Sequence, residues 1–153
     1  MAQQFTQRIP PCRCEVRAPF KIAMTHEDSP CICLACDGTV ALNELEISED
    51  YRRELVAWRR EYEAVHALWR EAGVYAAWAR TELHDLKSPI NESGRILASG
   101  MPPAYMAYYA AARGDGASPS RCERCNSRLS PPSGYEAAGL ACDACRILYP
   151  LTD

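Results

Sequence analysis

The chain closes on two cysteine pairs, Cys122-Glu-Arg-Cys125 and Cys142-Asp-Ala-Cys145, with sixteen residues between them. Four thiols at that spacing fall in the range that reads as a zinc site, two Cys-x-x-Cys turns separated by roughly 15–20 residues. Each turn sets two sulfurs on one side of a tight bend, and two turns complete a tetrahedron of thiolates around Zn2+. All four positions are then filled by protein, so this set predicts a structural zinc ribbon rather than an open catalytic metal. A redox-active Cys-x-x-Cys wants a helix N-terminus in a thioredoxin-like setting, and the flanking sequence shows neither.

A second cluster lies near the N-terminus: Cys12-Arg-Cys14, then Cys31-Ile-Cys33-Leu-Ala-Cys36-Asp-Gly38. Cys33-x-x-Cys36 has the form of a metal knuckle, with Gly38 just past it to supply a left-handed turn. Cys12, Cys14, Cys33 and Cys36 are the expected ligands of a second Zn2+, with eighteen residues between the halves. The rival pairing of Cys31 with Cys33 reproduces the sixteen-residue gap and spares Cys36. One cysteine is left over in either case, and His26 is a further candidate ligand. Buried free thiols, packed as small hydrophobes, are the plain alternative.

The remaining polar candidates are weaker. His84-Asp85 could be an oriented general base, since a carboxylate partner tunes imidazole; a helix-packing histidine is the more ordinary reading, for it and for His66. Trp58, Tyr62 and Trp69, with Tyr105, Tyr108 and Tyr109, could stack bases, although at helical spacing such a stripe is far more often core. The pairs Arg52-Arg53 and Arg59-Arg60 are interrupted by glutamates at 49, 54, 61 and 63, which favours a solvated helix face. Arg121, Arg124, Arg128 and Arg146 surround the last ribbon, where their simplest role is to offset thiolate charge and phosphate contact is the sharper one. Gly94 to Gly100 is not a phosphate loop, because the lysine and the spacing are absent.

These groups must be positioned by elements that the pattern of apolar residues predicts. Glu15 to Met24 alternates partially and predicts a short strand. Ser48 is a plausible N-cap, followed by Glu49 and Asp50 in the first turn. Leu55, Trp58, Tyr62, Val65 and Trp69 then recur at steps of three and four, which predicts one long amphipathic helix stopped by Gly73. A second helix is expected from Val74 to about Leu86, ending before Ser88-Pro89. A short third helix, capped at Asn91-Glu-Ser, runs through Ile96 and Leu97 to Met101-Pro-Pro. Ala104 to Arg113 is ambiguous between helix and strand. The expected organisation is a cysteine-rich zinc-binding segment at 1–46, a helical region at 47–113, a linker at 114–120 and a zinc ribbon at 121–153. The fold class is mainly α with small zinc-ribbon β elements, a central helical hairpin or bundle flanked by two four-cysteine zinc sites.

A chain of 153 residues, 48% hydrophobic and 24% charged, is one modest domain or two small ones. No segment approaches the run of about 18 apolar residues that spans a membrane, and the first ten residues lack a secretory apolar region. A cytoplasmic protein without a membrane partner is expected, where nine cysteines serve as metal ligands or reactive thiols rather than disulfides. Eight thiolates and two Zn2+ would move the formal charge from −3 to about −7. Whole-surface attraction to phosphate is therefore not supported, and any nucleic-acid contact would need a local patch.

The order of motifs also resembles a known family. Ser29-Pro30, Cys33-x-x-Cys36-x-Gly38 and the following Thr-Val-Ala-Leu42 come first. Trp58-x-x-x-Tyr62, Leu83-x-Asp85-x-x-Ser88-Pro, Gly94-Arg, Pro103-x-Tyr105 and the terminal cysteine pairs with Arg146 follow. This resembles a bacterial family of Zn-ribbon-containing proteins of unassigned function, described as candidates for nucleic-acid binding. The resemblance covers roughly residues 29–149. It implies a zinc ribbon and raises nucleic acid as a partner. Two features depart from it: only about 28 residues precede the match and they contain Cys12 and Cys14, and His66 stands where an acidic residue is usual.

The chain is therefore expected to be a zinc-binding, non-catalytic adaptor that recognises a protein partner or nucleic acid through its ribbons. The alternative is an accessory subunit or small metalloenzyme of a biosynthetic pathway, using an open N-terminal zinc site or a spare reactive cysteine. The long helical stripe could bury against the chain's own second helix or pair two copies as a homodimer.

Overall fold

The computed structural model describes residues 8–112 and 118–151. The opening seven residues and most of the expected linker at 114–120 fall outside the described residues.

The centre of the fold is a mixed five-stranded sheet, not a helical bundle. Its strands are β1 (Phe20–Ile22), β2 (Cys31–Cys33), β3 (Ala107–Ala110), β4 (Leu140–Cys142) and β5 (Ile147–Tyr149), in the order β2-β1-β3-β5-β4. β1, β3 and β5 run parallel, with Phe20 opposite Ala107 and Tyr109 opposite Ile147. The two edge strands run against them, β2 on β1 and β4 on β5. The mainly α fold class with a central bundle is thus overturned. Each strand has only three or four residues, too few for alternation to register in sequence, and the parallel pairs join segments far apart in the chain. The sheet draws strands from the N-terminal cysteine-rich segment, from the end of the middle region and from the terminal ribbon.

Three helices cover one face: α1 (Glu49–Glu71), α2 (Ala76–His84) and α3 (Pro89–Ser99). α1 begins where expected, with the Ser48 hydroxyl accepting from Tyr51 N–H at 3.2 Å. Gly73 follows its C-cap, Ala72, without adopting a left-handed φ. α3 starts earlier than its expected cap: Ser88 is the N-cap with Pro89 at the first helical position, and Asn91 lies inside the helix, fully buried. The ambiguous Ala104–Arg113 stretch supplies β3. Period-two alternation there sends Tyr109 into the helix-covered core, with Phe20, Ile22, Leu55, Trp58, Leu83 and Leu97. Tyr108 points to the opposite face, where it packs with Ala141 and Leu148 under Leu34 and Ala138.

A buried polar joint ties the layers together. The Asn91 side-chain amide donates among the Glu82, Leu83 and Asp85 carbonyls at the end of α2, and Ser88 adds its hydroxyl to Glu82 and its N–H to Asp85. The Asn91 Oδ1 accepts from the Tyr109 hydroxyl of β3. The Trp58 indole N–H donates to the Ile90 carbonyl at 2.9 Å. Gly94 makes room for this packing, since a Cβ there would run into the Tyr109 ring. No helix among the described residues is long and apolar enough to cross a membrane.

Candidate metal centres

Each edge strand delivers a cysteine at its last residue, Cys33 from β2 and Cys142 from β4. Each then turns back through a Cys-x-x-Cys. The first turn is closed by Asp37 N–H to the Cys33 carbonyl at 3.0 Å and Cys33 N–H to the Gly38 carbonyl at 2.8 Å. The Cys122 turn repeats the pattern, with Asn126 N–H to Cys122 and Cys122 N–H to Ser127, both at 2.8 Å. Among the described residues, the non-glycine residues with positive φ are Asp37, Asn126 and Arg146, at 55°, 61° and 56°. Each directly follows the second cysteine of a Cys-x-x-Cys, so all three pairs form one kind of knuckle. The left-handed residue of the first knuckle is therefore Asp37, one place before the glycine expected to supply it. Gly38 is needed for a different reason: a Cβ there would lie 2.8 Å from the Cys12 backbone. That close approach brings Cys12 and Cys14 against the knuckle, aided by Cys12 N–H bonding to the Thr39 carbonyl at 2.8 Å.

The sulfurs of Cys12, Cys14, Cys33 and Cys36 all lie within 4.8 Å of one another, as do those of Cys122, Cys125, Cys142 and Cys145. Four thiolates at about 2.3 Å from a tetrahedral Zn2+ sit about 3.8 Å apart. Cys14 and Cys33 are 3.9 Å apart, and Cys125 and Cys142 are 3.5 Å apart. Both donor sets thus fit a tetrahedral, sulfur-binding ion without rearrangement. Each is complete with four sulfurs, so neither leaves an open position once all four bind.

The electrostatics of the two clusters match. Burial, helped by the neighbouring thiols of Cys125 and Cys122, pushes the Cys142 thiol up to about 12 against the opposing pull of the Cys145 N–H. Cys14 is also pushed up to about 12, chiefly by its hydrogen bond with Cys12. One exposed thiol per cluster goes the other way. Cys125 is lowered to about 6 by the Ser127 hydroxyl and N–H. At Cys36 burial acts upward, but the Gly38 N–H and the surrounding thiols outweigh it and lower the group. Each cluster thus holds one thiol that ionises more readily than its neighbours, and the thiolate is the form that meets a cation. Two further groups, neither anticipated from sequence, reach the sulfurs: Arg17 approaches Cys12 at 3.9 Å and the Tyr149 hydroxyl approaches Cys122 at 3.7 Å. Proximity to the first cysteine pair and the aromatic at the end of the ribbon are the only sequence signals for them.

The other candidates are placed elsewhere. Cys31 is buried in the main core with its thiol pushed up to about 12 by burial, away from both clusters. His26 pairs with Glu63 of α1 at 3.6 Å rather than joining the N-terminal sulfurs. Asp85 accepts from Lys87 N–H, while the His84 ring packs edge-on against Trp69. His66 packs edge-on against the same indole. Trp58, Tyr62, Tyr108 and Tyr109 are buried and present no stacking surface, whereas Trp69 of the stripe reaches solvent. Around the terminal ribbon, Arg121 donates to the Asn126 carbonyl, Arg124 to Glu92 and Arg146 to Met106, and Arg128 is bridged to Arg121 through the backbone. No protein-family model matches the chain, and no curated protein or solved structure does either.

Proposed function

We propose that the protein is a non-catalytic zinc scaffold that binds a protein partner. Each four-cysteine cluster holds one structural Zn2+, and the pair staples the two edges of the sheet. The observation that carries this reading is the mutual approach of four sulfurs in each cluster, built from three knuckles of one geometry. Zinc suits four thiolates in a tetrahedron. The edge segments carry few apolar residues of their own, so metal-binding free energy acts there as folding free energy. Complete sulfur sets and the burial of Cys31 disfavour both an open catalytic zinc and a spare reactive thiol.

A protein is the better partner on charge. Arg121, Arg124 and Arg146 of the terminal ribbon are engaged with a carbonyl, Glu92 and Met106, and the overall balance is acidic. Elemental analysis of the native purified chain, with X-ray absorption at the zinc edge, tests the metal assignment: two zinc ions per chain in all-sulfur shells are expected. One ion, or a shell containing oxygen, would sink it. Retention on nucleic acid that falls steeply as salt rises would transfer the partner assignment to nucleic acid.

A further inference from the structure

The solvent face of α1 carries a charge pattern that the fold itself leaves unanswered. Ala57 sits in the middle of that face, between two shallow grooves. On one side Arg53 and Arg60, seven residues apart, flank Val56. On the other Glu54 and Glu61, again seven apart, rim a groove of about 320 Å3 that runs between α1 and α3. Its lining includes Ile96 of α3, 56% exposed. Seven residues are about two helical turns, so each pair is a vertical stripe.

Three acids of α1 are paired within the helix: Glu49 with Arg52, Asp50 with Arg53 and Glu63 with Arg59. Glu54, Arg60 and Glu61 have no ion-pair partner among the described residues, and Arg53 has only exposed contacts to the acids of its own first turn. Two basic and two acidic groups thus stand in equal register on the two flanks of one seam.

We propose that this face is the seam of a homodimer in which two α1 helices pack in parallel about a twofold axis running along them. That symmetry sets the basic flank of each copy against the acidic flank of the other, on both sides of the seam at once. Arg53 meets Glu54 and Arg60 meets Glu61 of the second copy, with Ala57 facing its own mate. An antiparallel pair would instead set Arg53 against Arg60 and Glu54 against Glu61, like charge on like. Flanking charges fix orientation in helix pairs in this way. Ile96 of each copy gains apolar cover from the opposing Val56 ridge. The occupant is a second copy because the complement to each flank, in sign and spacing, is the other flank of the same helix. The seam is independent of the metal assignment.

Sedimentation of the zinc-loaded full chain tests it. A seam of about two turns makes a small interface, so concentration-dependent dimers are expected near roughly 100 μM, weakening toward about 0.5 M salt. The double variants Arg53→Glu/Arg60→Glu and Glu54→Arg/Glu61→Arg should each dimerise roughly 100- to 1,000-fold more weakly. Mixed in equal amounts they should form a one-to-one heterodimer. Ala64→Cys should cross-link to its own mate on mild oxidation, since only the parallel arrangement brings the two copies of residue 64 together. Zinc content measured on the same samples separates loss of dimer from loss of metal. A wild-type chain that stays monomeric, a dimer that survives both reversals, or reversed chains that do not pair with each other would overturn the proposal. Binding of a foreign basic helix by a monomeric wild type would overturn it in favour of another protein.

Discussion

Cys33 and Cys142 end the two edge strands, and both strands run against the three parallel ones between them, so the two cysteine clusters sit at the same end of the sheet. Cys33 lies opposite Phe20, the first residue of β1, and Cys142 opposite Ile147, the first residue of β5. Four strand spacings of about 4.8 Å put the clusters roughly 19 Å apart. A metal in either one would reinforce the backbone bonds that already join each edge strand to the segment beside it, Gly38–Val40 at β2 and Ser130 at β4.

Removing one cluster should therefore release one edge and spare the other. Cys142→Ser is expected to lower zinc from two ions per chain to one. Amides of the terminal ribbon should then exchange rapidly while those of β1 and β2 stay protected. Apparent zinc contributions of about 10–16 kcal/mol in small sites are as large as the whole stability of a domain. Hydrogen exchange with elemental analysis reads the result; equal deprotection of both edges would refute independent staples.

Gly38→Ala should act on the N-terminal cluster alone. The new Cβ meets backbone at Cys12, which cannot swing away as a side-chain end could. The expected outcome is a chain that keeps the C-terminal ion and binds the other at least about tenfold more weakly, a loss of about 1.4 kcal/mol. Competition with a chromophoric chelator measures it.

Cys31→Ala should leave zinc stoichiometry at its wild-type value. The residue is sealed in the core, so the cost is a small cavity, about 1–2 kcal/mol in denaturant unfolding. A thiol reagent applied to the native zinc-loaded chain should not label Cys31. A fall in bound zinc in this variant would mean that the ligand set differs from the one inferred.

The Asn91–Tyr109 joint should be costly to break. Tyr109→Phe leaves Asn91 Oδ1 buried without its donor, a loss of about 1–3 kcal/mol. Asn91→Ala removes the acceptor of the Tyr109 hydroxyl and also the side-chain donor to the Leu83 carbonyl, while Ser88 still serves Glu82 and Asp85, and should cost more. Chemical denaturation of both variants gives the ranking, and Asn91→Ala at no greater cost than Tyr109→Phe would contradict it.

Glu92 gives a pH signature. The hydrogen bond from Arg95, with the charges of Arg95 and Arg124, holds its carboxyl below the ordinary 4.5. The folded state thus binds this proton less readily than the unfolded chain. Its contribution is present above that ordinary value and is lost as pH falls through the lower folded one. Because the pair is partly exposed, Glu92→Gln should cost only about 0.5 kcal/mol at neutral pH and less at an acidic pH below the ordinary carboxylate value. Melting curves at the two pH values test the sign.

The grouping of the thiols was legible in the chain because a knuckle is local. Cys-x-x-Cys spacing sets sulfur geometry within four residues, and the long helix announced itself through Ser48 and the Leu55–Trp69 stripe. The sheet was not legible. Ala107-Tyr-Tyr-Ala110 carries no decisive period, and its partners Phe20–Ile22 and Ile147–Tyr149 are distant in sequence. The choice of Cys12, Cys14, Cys33 and Cys36 as neighbours, with Cys31 turned into the core, likewise depended on strand pairing. Cys31 and Cys33 stand two apart on one face of β2, so alternation does not part them; position along the strand does, with Cys31 opposite Ile22 in the core and Cys33 at the end that opens into the knuckle. Sequence by itself determined that thiols would gather in pairs and that one amphipathic helix would form. Only the tertiary structure decided that the pairs close opposite edges of one sheet, because non-local hydrogen bonding fixes which strands become edges.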